Sequence, residues 1–211
     1  MNDPTYDESA LIERAKYDSE AFGELYEIHF DRIYNYIYHR TGNIHDAEDL
    51  TAKVFFRALQ HIRNYKDQGS PFSAWLYSIA RNLLANWYRD NSKRTMIPID
   101  SIAQIQIADG PELESEFVEN REVLLAAIRR LPEERQDLLI LKFVNKQSNA
   151  EIGNILGRSE GAIKSLYHRT LLSLKSELME SSRREQVRRQ GEAQSKNGWA
   201  SIRSRLSGHR Q

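Results

Sequence analysis

The chain has 211 residues, and its 30 Lys+Arg balance its 30 Asp+Glu, so total charge advertises neither nucleic acid nor an acidic partner. Cysteine is absent, which excludes disulfides and thiolate metal sites and is compatible with a reducing compartment. No apolar run approaches bilayer length, and the polar start MNDPTYDES lacks the pattern of a signal peptide, so a cytoplasmic location is expected. Charge is unevenly spread: Ile99 to Glu122 holds seven acids against one arginine, and Ser181 to Gln211 holds eight bases against two acids. Such local patches, more than the total, set what a surface attracts.

In chain order, Leu11 to Lys16 is a short helix candidate. Asp18 or Ser19 then caps a longer helix, in which Phe22, Leu25, Tyr26, His29, Ile33, Tyr36 and Ile37 share a face and which Gly42 closes. The tyrosines at 26, 34, 36 and 38 are expected to pack their rings and keep wet hydroxyls. The next helix, NIHDAEDLTAKVFFRALQHI, places Asp46, Glu48 and Asp49 in its first turn, where carboxylates suit the positive end of the helix dipole. Ala47, Leu50, Val54, Ala58 and Ile62 form its inner face, and Asp46, Asp49, Lys53 and Arg57 its outer one.

After the loop RNYKDQGS, Ser70 reads as an N-cap with Pro71 at the first helical position. Phe72, Trp75, Leu76, Ile79, Leu83 and Trp87 then recur at core spacing. Arg81, Asn82, Asn86, Tyr88 and Arg89 surround the polar side, with Lys93 and Arg94 just beyond. Cations and amides interleaved with aromatics can hold a single nucleic-acid strand, although Trp75 and Trp87 are expected to serve as packing residues.

From Thr95 to Asn120 the periodicity weakens and Pro98, Gly110 and Pro111 punctuate it, as in a linker. Isoleucines at 97, 99, 102, 105 and 107 suggest that part of this linker packs in an extended form. Val123, Leu124, Ala127, Ile128 and Leu131 make another amphipathic helix, and Pro132 starts the next, whose apolar set is Leu138, Leu139, Leu141, Phe143 and Val144.

The segment Ser148 to Lys175 is the most informative. Ser148 and Glu151 have capping-box spacing, Gly157 suits a left-handed helix stop, and Ser159 caps a second helix. In that second helix Ile163, Leu166, Tyr167, Thr170, Leu171 and Leu174 oppose Glu160, Lys164, Ser165, His168 and Arg169. Two helices joined by a glycine turn, the second with one apolar and one polar-basic face, match a helix-turn-helix. On that motif alone, an αα-hairpin of a helical bundle is the competing reading. Beyond Met179 the sequence is polar and basic and is expected to be flexible, with Trp199, Ile202 and Leu206 as a short amphipathic patch. No paired-carboxylate pocket, nucleophile elbow, P-loop or metal-spaced His cluster stands out, so no enzyme activity, cofactor, metal or small-molecule substrate is expected.

DAEDLTAKVFFRAL (Asp46–Leu59), FSAWLYSIARN (Phe72–Asn82), LPEERQDLLILKF (Leu131–Phe143) and the helix-turn-helix through Leu174 occur in this order. Together they resemble a bacterial extracytoplasmic-function (ECF) sigma factor of the sigma-70 family. The resemblance implies an all-α chain of two small helical domains: a region 2-like domain over 1–94, an acidic linker over 95–120, a region 4-like helix-turn-helix domain over 121–179, and a basic extension over 180–211. It implies promoter-specific transcription initiation with core RNA polymerase, bound at its clamp and flap regions, on promoter DNA, and an anti-sigma factor as regulator.

Residue by residue, the resemblance places clamp contacts at Asp46, Glu48, Asp49, Lys53 and Arg57, with Phe55 or Phe56 as the apolar contact. It places minus-ten contacts at Asn64, Tyr65, Lys66 and Asp67 in the loop, which would hold a flipped base, and at Arg81, Asn82, Asn86 and Arg89 along the strand. Minus-thirty-five contacts fall on Arg158, Ser159, Glu160, Lys164, Ser165, His168 and Arg169. The chain departs from the family pattern at Ala52-Lys53, where Gln-Glu is usual, and at Leu166, where an arginine is usual; Gly153 stands where Ala is usual, at an expected cost of about 1 kcal/mol in helix stability. The alternatives are a stand-alone helix-turn-helix regulator and a helical adaptor that has lost DNA binding.

Overall fold

The computed structural model describes residues 7–67, 69–91, 121–180 and 183; among them are eight α-helices and no strand. The linker isoleucines and the Trp199 patch lie outside the described residues, so the expectations about them are not addressed by the structure.

The first unit is four helices: α1 (Glu8–Ala15), α2 (Ser19–Thr41), α3 (Ile44–His61) and α4 (Phe72–Asp90). Each of the first three starts where a short polar side chain takes up free backbone N–H groups: Asp7, Asp18 and Asn43 accept bonds from the first turns of α1, α2 and α3. Gly42 ends α2 at φ 78°, a conformation that glycine reaches without a Cβ penalty. Ala47, Leu50, Val54, Ala58 and Ile62 are all buried, as their helical spacing demands. Burial of these faces against Leu25, Ile33, Ile37 and Leu76 supplies the driving force of the unit. His29, also buried, ties α1 to α2 through its Nε2, 3.0 Å from Glu8 Oε1.

The start of α4 differs by one residue from the sequence expectation. Pro71 is the cap residue, with an extended ψ of 145° and no side-chain bond, and the helix begins at Phe72. Pro132 behaves in the same way ahead of its helix. In both cases the ring fixes φ near −53°, which aims the chain into the first turn without a capping side chain.

The second unit holds α5 (Arg121–Arg130), α6 (Glu133–Leu139), a π-helical turn (Ile140–Val144), α7 (Asn149–Leu156) and α8 (160–180). The helix after Pro132, expected to run on through Val144, widens at Ile140 into the π turn. The capping box at the start of α7 is formed in both directions: Glu151 N–H donates to Ser148 Oγ at 3.2 Å and Ser148 N–H to Glu151 Oε2 at 2.7 Å. Gly157 adopts φ 67° at the stop. Ser159 caps α8, its Oγ accepting from Ala162 N–H.

Gly153 has a different role from the one expected. A Cβ built there would meet the Arg158 carbonyl oxygen at 2.6 Å, and Arg158 N–H donates to the Gly153 carbonyl at 2.8 Å. The absent side chain is what lets the turn between α7 and α8 close against α7, so its helix-propensity cost is offset by the turn.

Candidate nucleic-acid and polymerase interface

On α3, Glu48, Asp49, Lys53 and Arg57 are exposed and Asp46 is half-buried. Asp49 Oδ2 pairs with Lys53 Nζ at 2.5 Å, one helical turn apart. The adjacent phenylalanines separate cleanly. Phe55 is buried with its ring edge-on to Tyr26 at 4.7 Å, while Phe56 is 60% exposed. Phe56, with Ile44 and Leu59 also exposed, therefore gives the charged face an apolar component.

The loop after α3 opens with a 3-10 turn (Ile62–Asn64). Tyr65 packs at 5.3 Å from Phe72 and 4.9 Å from Trp75, so half of it is wall and half is surface. Asn64, Lys66 and Asp67 are exposed, and Asp67 Oδ1 shapes the loop by accepting from Gly69 N–H at 2.8 Å. Along α4, Asn82, Asn86 and Arg89 are exposed, with Arg89 Nη2 donating to Asn86 Oδ1 at 3.0 Å. Trp75 and Trp87 are half-buried against the core, in keeping with a packing role.

On α8 the predicted amphipathic division is clear: Ile163, Leu166, Thr170 and Leu174 are buried, while Lys164, Ser165, His168 and Arg169 are exposed. Leu166 thus faces the core. Several recognition candidates are already engaged within the chain. Lys164 Nζ lies 2.8 Å from Glu160 Oε1, which holds the Glu160 carboxyl below its usual range. Arg158 forms a two-pronged pair with Glu134, so the turn arginine is committed to a neighbouring helix. Arg169 Nε donates to the Ser165 carbonyl at 3.3 Å.

One part of the site went unnoticed in the sequence. The two units meet through a buried polar cluster centred on Asp137 of α6, itself 3% exposed. Tyr36 OH donates to Asp137 Oδ1 at 2.9 Å; Arg40 Nη1 lies 3.4 Å from the same oxygen and Arg81 Nε 3.5 Å from the other. Arg40 also donates to Gln136 Oε1 at 3.1 Å, pairs with Glu133 at 3.7 Å, and stands 5.1 Å over the Tyr88 ring, whose hydroxyl donates to the Arg40 carbonyl. Asn145 adds a second tie, donating to the Arg32 carbonyl at 2.9 Å and to Tyr77 Oη at 2.7 Å. Tyr36, expected to keep a wet hydroxyl, is instead wholly buried with its hydroxyl on a carboxylate. Burial pushes the Asp137 carboxyl up, against the opposing pull of Arg40, Tyr36 and Arg81. Burial likewise holds the Tyr36 and Tyr77 hydroxyls neutral. A signal was present: Arg40 continues the buried stripe Ile33, Tyr36, Ile37, and a charged residue in register with an apolar stripe implies a partner brought from elsewhere.

Comparison with known proteins agrees with this geometry. The sigma-70 region 2 family matches residues 25–94 and the sigma-70 region 4 family matches residues 121–174. The chain belongs to the sigma-70 family, in its ECF branch. Among relatives, the ECF RNA polymerase sigma factor BldN of Streptomyces coelicolor is 37% identical over 78% of this chain and 63% of its own length, so this chain matches just under two thirds of that relative. The ECF RNA polymerase sigma factor SigW of Bacillus subtilis is 32% identical over 77% of this chain and 91% of its own length. A solved structure of CnrH in complex with the cytosolic domain of CnrY shares the fold, with a TM-score of 0.54 at 19% identity over 82% of this chain and 96% of that one.

Proposed function

We propose that this chain directs core RNA polymerase to specific promoters and assists their melting, as an ECF sigma factor without catalytic activity of its own, acting in the cytoplasm. The observation that carries the reading is the pairing, in one chain and in family order, of a strand-type surface on α4 with an outward recognition face on α8. Opening a duplex costs stacking energy, which capture of unstacked bases partly offsets. The Asn64–Asp67 loop against Tyr65, Phe72 and Trp75 suits that capture, and Asn82, Asn86 and Arg89 suit the strand that follows. An intact element instead needs a helix in the major groove with cations at phosphates, which Lys164, Ser165, His168 and Arg169 supply.

The exposed charges of α3 with Phe56 form the surface assigned to the polymerase clamp, and the second unit the one assigned to the flap. Near-neutral total charge fits a factor whose DNA affinity depends on polymerase supplying further attachment. An anti-sigma factor is the expected regulator, as for other members of the family. The division 1–94, 95–120, 121–179 and 180–211 is retained as the domain assignment. Run-off transcription with core enzyme on genomic fragments tests the function: discrete start sites are expected, and their absence, with duplex binding by the chain alone, would favour the stand-alone regulator.

A further inference from the structure

The Asp137 cluster is a costly way to join two helical units. Two charged groups withdrawn from water pay a desolvation penalty that a well-packed apolar pair avoids, so such clusters suit a switch better than a permanent weld. The Arg40 side chain is 5% exposed and its Nε has no hydrogen-bond partner among the described residues. Among the described residues, the carboxylates that its guanidinium meets, Asp137 and Glu133, both come from α6 in the other unit. Arg81, which the strand reading places against DNA, is paired to Asp137 as well. A cavity of about 310 Å³ adjoins this point, lined by Arg40, Ser78, Arg81, Asn82 and Tyr88 from the first unit and by Glu133 and Asp137 from the second.

A carboxylate set between two guanidiniums occupies the geometry that guanidiniums offer to a phosphate. We propose that Asp137 is an internal stand-in for a DNA phosphate: it occupies an Arg40–Arg81 anion site that, once the units part, receives the backbone of the single strand. Separation leaves two cations on α2 and α4 without their carboxylate, and the exposed Asn82 amide beside them is a further donor. Tyr88 lies under Arg40, its ring 5.1 Å from the guanidinium, and holds that cation at the site. Strand binding and closure of the two units are then mutually exclusive, and each weakens the other by the same factor. The site extends the strand surface of α4 onto α2. This inference rests on the strand-binding reading of α4, and it adds Arg40 as a strand contact and Asp137 as its competitor.

The test uses the full chain, whose lack of cysteine allows unambiguous labelling. Donor and acceptor dyes at Y17C and L172C, both exposed positions on opposite units, report separation by energy transfer, and fluorescein-labelled oligothymidylate is the strand probe. D137N is expected to lower the transfer efficiency and to raise oligothymidylate affinity on the order of tenfold, because less of the chain is held in the incompetent state. Adding the strand to the otherwise unaltered labelled chain is expected to lower transfer as well.

A second variant leaves the cluster in place. R32C with N145C, joined by a short bis-maleimide across the Asn145–Arg32 contact, holds the units closed. It is expected to lose strand binding while duplex binding through α8 persists. Strand affinity unchanged by the bridge would overturn the proposal. So would D137N opening the chain without a gain in strand affinity. If D137N does not fold, the bridged chain alone decides. Absent run-off transcription with strand competition intact would sink the sigma reading alone; normal transcription with strand affinity indifferent to the bridge would sink this one alone.

Discussion

The two units present their proposed recognition surfaces differently. In the second, Lys164, Ser165, His168 and Arg169 all face outward from α8, clear of the joint with the first unit. In the first, Asn82, Asn86 and Arg89 are exposed, but Arg81 and Arg40 are engaged by Asp137. Groove recognition needs only a rigid helix with one free face, which local sequence supplies. The proposed strand site gathers groups from α2, α4 and the loop, and such a gathered site can be occupied by another part of the chain. On the proposed assignments, packing of the two units engages cations of the strand surface and leaves the duplex surface exposed.

The largest expected effect separates the two units by stability. Gly153→Ala forces a Cβ against the Arg158 carbonyl, so the second unit should lose about 1–3 kcal/mol, as overpacking typically costs. Thermal unfolding followed by hydrogen exchange would show α7 and α8 losing protection before α2 and α3; uniform loss would mean that the units do not unfold separately. Next, replacing Asp46 and Asp49 by lysine should reduce association with core polymerase roughly tenfold with the fold preserved, because interface charges act chiefly through encounter and complementarity. Unchanged capture of core enzyme would remove α3 from the clamp assignment.

A smaller effect is expected on α8. Replacing Lys164 and Arg169 together by alanine should weaken duplex binding severalfold and lower its salt dependence by about two counterions, since each cation at a phosphate releases roughly one. Oligothymidylate and core binding should not move; equal loss of all three would show that the outward face is misassigned.

Much of the architecture was legible from the residues alone. Capping at Asp18 and Ser148, the stops at Gly42 and Gly157, and the stripes Ala47–Leu50–Val54–Ala58 and Ile163–Leu166–Thr170–Leu174 depend on neighbours three or four positions apart, and such local rules survive in any tertiary context. The exposed charges of α3 and the polar face of α8 followed as the complements of those stripes. Two helix starts shifted by a residue because proline can begin a helix from outside its first turn.

What the tertiary structure alone decided was long-range. Gly153 could be read from sequence only as a weak helix former, because the carbonyl it accommodates belongs to the following turn. The choice between Phe55 and Phe56 depended on where Tyr26 of α2 lies. Arg40, Tyr36 and Arg81 meet Asp137 across 97, 101 and 56 positions of chain, and no periodicity encodes a partner at that distance. Sequence determined which faces are apolar; only packing determined which charged group is brought to answer another.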